Sequence, residues 1–177
     1  NHTVETLIPA VEVAARVKWL AREIAIHMPH DLVIIGLLRG SFVFTADLIR
    51  ALHFLQVKPQ IDFMTLSSYG SGSTSSGNVN IGRDVADEVK GRQILIVDDI
   101  LETGRTLRFA HDLMIERGAA DVKIAVLLEK PGKLEAIACP IAQWRRLMPT
   151  SLRVVMPHGL RLPLMPKNRR LFAAATT

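Results

Sequence analysis

Two adjacent carboxylates, Asp98 and Asp99, are followed closely by Glu102 and the run Thr103-Gly104-Arg105-Thr106. A glycine-containing turn that opens a helix leaves backbone N–H groups unpaired, which suits a phosphate. Gly104 lets the backbone come close, and Thr103 and Thr106 add hydroxyl donors. The carboxylates cannot hold that phosphate, because like charges repel. They face something else: sugar hydroxyls, a metal, or a proton in transit. A phosphate cradle beside a diol-binding acid pair describes a site for a phosphorylated ribose.

The elements around this stretch read as strand, loop, helix. Ile94 to Val97 form a short apolar run of the kind a parallel sheet buries on both faces, and the acids follow where such a strand would end. Leu107, Ala110, Leu113 and Met114 then recur at helical spacing. Upstream, Val13, Val17, Leu20, Ala21 and Ile24 predict an amphipathic helix over 10–27, stopped by Pro29. Asp31 to Gly36 reads as a buried strand running into the loop Leu38-Arg39-Gly40-Ser41, with a helix from Phe42 to His53. Gln60 to Leu66 partly alternates, as a strand would, and Val122 to Leu128 is a further buried strand.

Between these, Ser67 to Asn78 is rich in Gly and Ser, which predicts a mobile lid rather than a linker. Val79 to Ile81 and an acidic stretch lead back to the strand at 94. Alternating strands and helices predict an α/β fold: a mostly parallel twisted sheet with helices on both faces and ligands at the carboxyl ends of its strands.

At 177 residues the chain suits one domain with a real core. No apolar run approaches the ~20 residues needed to cross a bilayer, so no membrane partner is expected. The start is neither a basic n-region nor a signal peptide, and the missing initiator Met suggests a trimmed chain. The single cysteine, Cys139, excludes an internal disulfide and fits a reducing, cytoplasmic setting. The net charge of +5 is unevenly spread: residues 1–135 carry −2 and the remainder +7. That is a near-neutral domain with a basic end, not a uniformly basic nucleic-acid binder.

The stretch from Gln93 to Phe109 resembles the phosphoribosyl-pyrophosphate signature of the type I phosphoribosyltransferases, where apolar residues lead into two acids and a Thr-Gly-x-Thr loop. Further segments resemble the hypoxanthine-guanine branch of that family. The resemblance spans roughly residues 5 to 133 and implies the family fold. It implies phosphoribosyl transfer from phosphoribosyl pyrophosphate to a purine base, with Mg2+ as cofactor and a homodimer or homotetramer as the assembly.

It also implies roles. Asp98 and Asp99 would take the ribose hydroxyls, with magnesium close to them or bound through water. Thr103, Gly104, Arg105 and Thr106 would take the 5′-phosphate. Leu38, Arg39, Gly40 and Ser41 match the pyrophosphate loop, whose peptide before the basic residue is often cis; members usually carry Lys at the position of Arg39. Ser67, Ser68, Tyr69 and Gly70 match the start of the catalytic lid. Glu102 stands where an Asp usually serves as general base toward purine N7. Lys130 matches the lysine that donates to the purine 6-oxo group and so selects hypoxanthine and guanine over adenine.

The family pattern then stops. Residues 136–177 hold no Asp, Glu or Tyr, and six of the nine prolines fall from Pro131 onward. The usual base-stacking aromatic and a further magnesium-binding Asp have no counterpart, and Trp144 does not inherit either role. The expected division is a core of residues 1–135, with 67–82 as lid, and an atypical basic tail of residues 136–177. That tail reads either as a divergent or out-of-frame ending, or as an arm packing on a neighbouring subunit. Two other functions compete with purine salvage: a non-catalytic nucleotide-sensing RNA-binding regulator, and a xanthine- or pyrimidine-using transferase.

Overall fold

The computed structural model describes residues 8–28, 30–68, 79–86 and 88–129. The helix of residues 10–27 is α1 (Ala10–His27), and it buries Val17, Leu20, Ala21 and Ile24 at the 3–4 spacing of one helical face. The strand β1 (Leu32–Leu38) is buried through Leu37. It leads into α2 (Phe42–Phe54), which buries Phe44, Leu48 and Leu52. Then come β2 (Gln60–Ser68), β3 (Val79–Arg83), β4 (Gln93–Leu101), α3 (Arg105–Glu116) and β5 (Asp121–Glu129).

The five strands form one sheet in the order β3-β2-β1-β4-β5. β1 lies parallel to β2 and β4, and β4 lies parallel to β5; only β3 is antiparallel, paired with β2. The expected mostly parallel sheet is therefore present. Its two faces bury separate cores. On one face α1 and α2 pack Ile24, Met28 and Leu48 against Ile34, Leu95 and Val97. On the other, α3 packs Leu107, Ala110 and Met114 against Ile35, Ile94, Ile96 and Ile124. Alternate residues of β1 and β4 serve opposite faces, which is why these strands read as unbroken apolar runs.

The strand order places the site. From β1 the chain first moves outward to β2, then crosses back to β4 on the other side. The loops after β1 and β4 thus leave in opposite directions and open a crevice at their carboxyl ends.

One expectation needs correction. The acids do not lie beyond the end of their strand: β4 continues through Asp98 and Asp99 to Leu101. Its pairing with β1 ends at Gly36↔Val97, whereas pairing with β5 carries on through Asp98↔Val126 to Leu101↔Glu129. Cross-strand hydrogen bonding on one side is enough to keep a polar segment extended. The acids consequently sit on a strand whose β1-facing edge has been released.

Among the described residues, no helix is long and apolar enough to cross a membrane. Tyr69, Gly70, Lys130, Pro29, Cys139 and the tail of residues 136–177 lie outside the described residues.

Candidate functional site

The first wall is the turn after β1. Leu38 ends the strand, half-buried, and Arg39 and Gly40 are exposed. The Leu38–Arg39 peptide is cis, as the resemblance implied. The Arg39 carbonyl accepts the amide of Phe42 at 3.3 Å, closing the turn onto α2. Ser41 is fully buried, and its hydroxyl donates to the Leu37 carbonyl at 2.6 Å. That hydroxyl is committed to shaping the loop, so the contribution of Ser41 to a ligand falls to its backbone.

The second wall is the end of β4. The Asp99 carboxylate lies against Gly40: a Cβ on that glycine would stand 2.6 Å from Oδ2 and 2.8 Å from Oδ1. No side chain larger than hydrogen fits between them without movement. The two sequence segments singled out independently, 38–41 and 98–106, are thereby brought into direct contact. The Asp98 carboxyl turns back on its neighbour and accepts the Asp99 amide at 3.0 Å. Burial, and then the charge of Asp99, push the Asp98 carboxyl up to about 7 from its ordinary 3.8.

Beyond the acids, Glu102 is exposed and Thr103 half-buried. Gly104 takes a left-handed conformation, φ +82°, and caps the N-terminus of α3. Only glycine adopts this without strain. The Arg105 amide reaches Thr103 Oγ1 at 3.4 Å, a long contact, and regular helical bonding begins with the Arg108 amide on the Gly104 carbonyl at 2.8 Å. The amides of Thr106 and Leu107 belong to the first turn and have no intrahelical carbonyl to reach. A helix N-terminus with such donors and the positive end of its dipole is an anion site.

The structure thus brings the 38–41 turn, through Gly40, against Asp99, with Asp98 next to it on β4 and Glu102 to Thr106 following in the chain into α3. Ser67 and Ser68 end β2, where they pair with Asn80 and Val79 of β3, one arm of the expected lid. Lys130 directly follows the last described residue of β5.

Magnesium binds through one or two carboxylates together with substrate phosphates, rather than in a cage made wholly of protein. Among the described residues no group of three or more His, Cys, Asp or Glu converges as a metal cage. The Asp98–Asp99 pair fits the magnesium pattern, since two mutually repelling carboxyls are relieved by a cation between them and the substrate.

Sequence reasoning passed over Asp62. It is 6% exposed on β2 and accepts the amides of Phe63 at 2.7 Å and Ala86 at 2.6 Å. The available signal was a lone acid within the apolar run Ile61 to Met64.

The chain is similar to known proteins over most of its length. Residues 7–142 match the phosphoribosyl transferase domain family. A hypoxanthine phosphoribosyltransferase of Escherichia coli K12 is 42% identical over 138 residues, 76% of each chain. A hypoxanthine-guanine phosphoribosyltransferase of Streptococcus pneumoniae is 46% identical over 99 residues, 56% of this chain and 53% of that one. The crystal structure of a hypoxanthine phosphoribosyltransferase from Staphylococcus aureus superposes with a TM-score of 0.69 at 34% identity, covering 75% of this chain and 71% of that one. The family match over residues 7–142, the identity to these relatives and the superposition lead to one assignment: the chain belongs to the type I phosphoribosyltransferase family, in its hypoxanthine-guanine branch.

Proposed function

We propose that the chain transfers the phosphoribosyl group of phosphoribosyl pyrophosphate to hypoxanthine or guanine, giving inosine or guanosine monophosphate and pyrophosphate. The observation that carries this reading is the contact between Gly40 and Asp99. It sets a pyrophosphate-type turn beside sugar-type carboxylates, with a phosphate-type helix start on the same rim.

The turn Thr103–Thr106 holds the 5′-phosphate through the amides of the first turn of α3 and the threonine hydroxyls. Asp98 and Asp99 take the ribose hydroxyls, and the backbone of Arg39 to Ser41 takes the pyrophosphate. Purine N9 attacks C1′ as the bond from C1′ to the pyrophosphate oxygen breaks. Both electrons of that bond leave with pyrophosphate, and the purine N7 proton passes to Glu102. Positive charge on the sugar ring in the transition state is stabilised by the nearby carboxylates. Magnesium, held by Asp98 and Asp99 directly or through water, would supply charge neutralisation to the leaving pyrophosphate. Ser67 to Gly70 begin a lid that keeps water from the activated sugar. Lys130 donates to the purine 6-oxo group and so rejects adenine.

Residues 1–135 form the catalytic core in this reading, supported by the family match through residue 142. We place the protein in the cytoplasm on its single cysteine. A homodimer or homotetramer is supported by apolar surface on the outer helices. Phe42, Val43 and Phe54 are 56%, 66% and 83% exposed, and a groove of about 690 Å³ runs between α1 and α2.

The test is incubation with magnesium, phosphoribosyl pyrophosphate and each base in turn, measuring pyrophosphate release. Release with hypoxanthine or guanine but not adenine is expected. Salt-sensitive RNA binding with no nucleotide formed would instead favour a regulator on the same fold.

A further inference from the structure

Ser41 stands at the N-cap of α2, where a serine ordinarily turns its oxygen to the amides of the first helical turn. It makes no such bond here. Its hydroxyl donates instead to the Leu37 carbonyl at 2.6 Å, four residues back. That buried bond brackets Leu38, Arg39 and Gly40, the pyrophosphate-type turn.

The Leu37 carbonyl needs a donor from outside the sheet ladder on one side. β1 pairs with β4 only as far as Gly36↔Val97, and past that point its one strand neighbour is β2, through Leu38↔Thr65. Backbone groups at such a place must find other partners, and a buried carbonyl without one is costly. The Asp99 carboxylate meanwhile closes on Gly40, where a Cβ would stand 2.6 Å from Oδ2. The turn is thus held at both of its sides, by a core hydroxyl and by a carboxylate. One helical turn further along α2, Thr45 is as fully buried as Ser41, yet its Oγ1 has no hydrogen-bond partner among the described residues. Of two buried hydroxyls on one helix, one is bonded to the turn and the other is not.

We propose that the Ser41 hydroxyl is a positioning group for the pyrophosphate end of the donor: through the Leu37 carbonyl it fixes the backbone of Arg39 and Gly40 in the conformation that receives the anion. The proposal rests on the phosphoribosyl-transfer reading. The hydroxyl itself touches no substrate. Freeing the turn weakens binding at the pyrophosphate end and spares the 5′-phosphate end, which is built on the start of α3.

The experiment uses the full chain with magnesium and compares Ser41→Ala with Thr45→Val. Each removes one buried hydroxyl from α2, and only the first breaks a bond to the turn. Calorimetry gives Kd for pyrophosphate and for ribose 5-phosphate, and steady-state kinetics give kcat and KM for phosphoribosyl pyrophosphate. In Ser41→Ala we expect the pyrophosphate Kd and the donor KM to rise about tenfold, as one buried carbonyl goes unmet. The ribose 5-phosphate Kd should stay within about twofold, and kcat within about threefold, because a contact made in both ground and transition state moves KM alone. In Thr45→Val all four quantities should stay within about twofold of wild type.

An unchanged pyrophosphate Kd in Ser41→Ala would overturn the proposal. So would an equal loss of affinity for both ligands, or the same loss in Thr45→Val, since either marks a general packing effect. Should Ser41→Ala fail to fold, Ser41→Cys decides, because a thiol is close in shape and donates only weakly. A pyrophosphate Kd raised about threefold or more is then expected, and a wild-type value overturns the claim. A wild-type chain that binds pyrophosphate but forms no nucleotide sinks the transfer reading alone, and the ratio of the two affinities in Ser41→Ala still judges the positioning claim. A wild-type chain that binds no pyrophosphate overturns both.

Discussion

The Asp99 carboxylate rests on the α-carbon of Gly40, so that a methyl group there would meet Oδ2 at 2.6 Å, Oδ1 at 2.8 Å and Cγ at 2.9 Å. One acid on β4 and one glycine after β1 therefore share a wall of the crevice, and no side chain can be added at Gly40 without Asp99 moving.

Gly40→Ala tests that wall. Gly40 is exposed, so the fold should survive with its circular-dichroism spectrum unchanged. The Asp99 carboxylate must shift, and displacements near 1 Å cost about 100-fold in rate. We expect kcat/KM for phosphoribosyl pyrophosphate to fall by about that factor. Wild-type kinetics in the variant would mean that the contact has no functional weight.

Glu102→Gln removes a proton acceptor from an exposed position at the rim and leaves the turn that follows it intact. General-base contributions are typically about 10²–10⁴-fold. Turnover should drop within that range while ribose 5-phosphate affinity, measured by calorimetry, stays within about twofold. Equal turnover in the two proteins would take Glu102 out of the base role.

How much of this was legible beforehand depends on where the information lies in the chain. The boundaries of α1 follow from a 3–4 apolar spacing that Val17, Leu20, Ala21 and Ile24 satisfy locally. The extension of β4 through Asp98 and Asp99 was not legible, because it depends on a neighbour: β5 supplies Val126 and Leu128 as pairing partners past the apolar run. The meeting of Gly40 with Asp99 is a consequence of strand order, which no local spacing encodes. Asp62 was missed for the same reason, since its defining partner, Ala86, is remote in sequence. The committed hydroxyl of Ser41 is a matter of rotamer and burial, invisible in residue type.

Asp98 gives a pH signature. Burial and the charge of Asp99 push its carboxyl to about 7 in the folded chain, against an ordinary 3.8. An acid whose pKa rises on folding binds its proton more tightly when folded. Its stabilising contribution is complete below the ordinary value and is lost as pH rises through about 7. Ligand-free protein should therefore lose stability from this group between about pH 4 and pH 7, and Asp98→Asn should flatten that part of the Tm–pH curve. Parallel curves for the two proteins would contradict the assignment.

Arg16 lies under the surface of α1 at 6% exposure, and its Nε and Nη1 have no hydrogen-bond partner among the described residues. Burial pulls its pKa down to about 10, and its guanidinium stacks 4.2 Å over the Trp19 ring. The stacking is worth ~0.5–2 kcal/mol, whereas each buried unmet donor costs ~1–3 kcal/mol. Arg16→Met should thus leave stability unchanged or raise it by about 1 kcal/mol in urea unfolding. A loss of ~2 kcal/mol or more would show that the stacking outweighs the unmet donors.

The most direct check on the central claim follows backbone amide resonances while phosphoribosyl pyrophosphate is titrated into the magnesium-loaded protein. If one crevice grips the donor at both ends, the amides of Gly40 and Ser41 and those of Gly104 to Leu107 shift together with a single Kd. Shifts confined to one of the two loops, or two different affinities, would contradict a shared donor site.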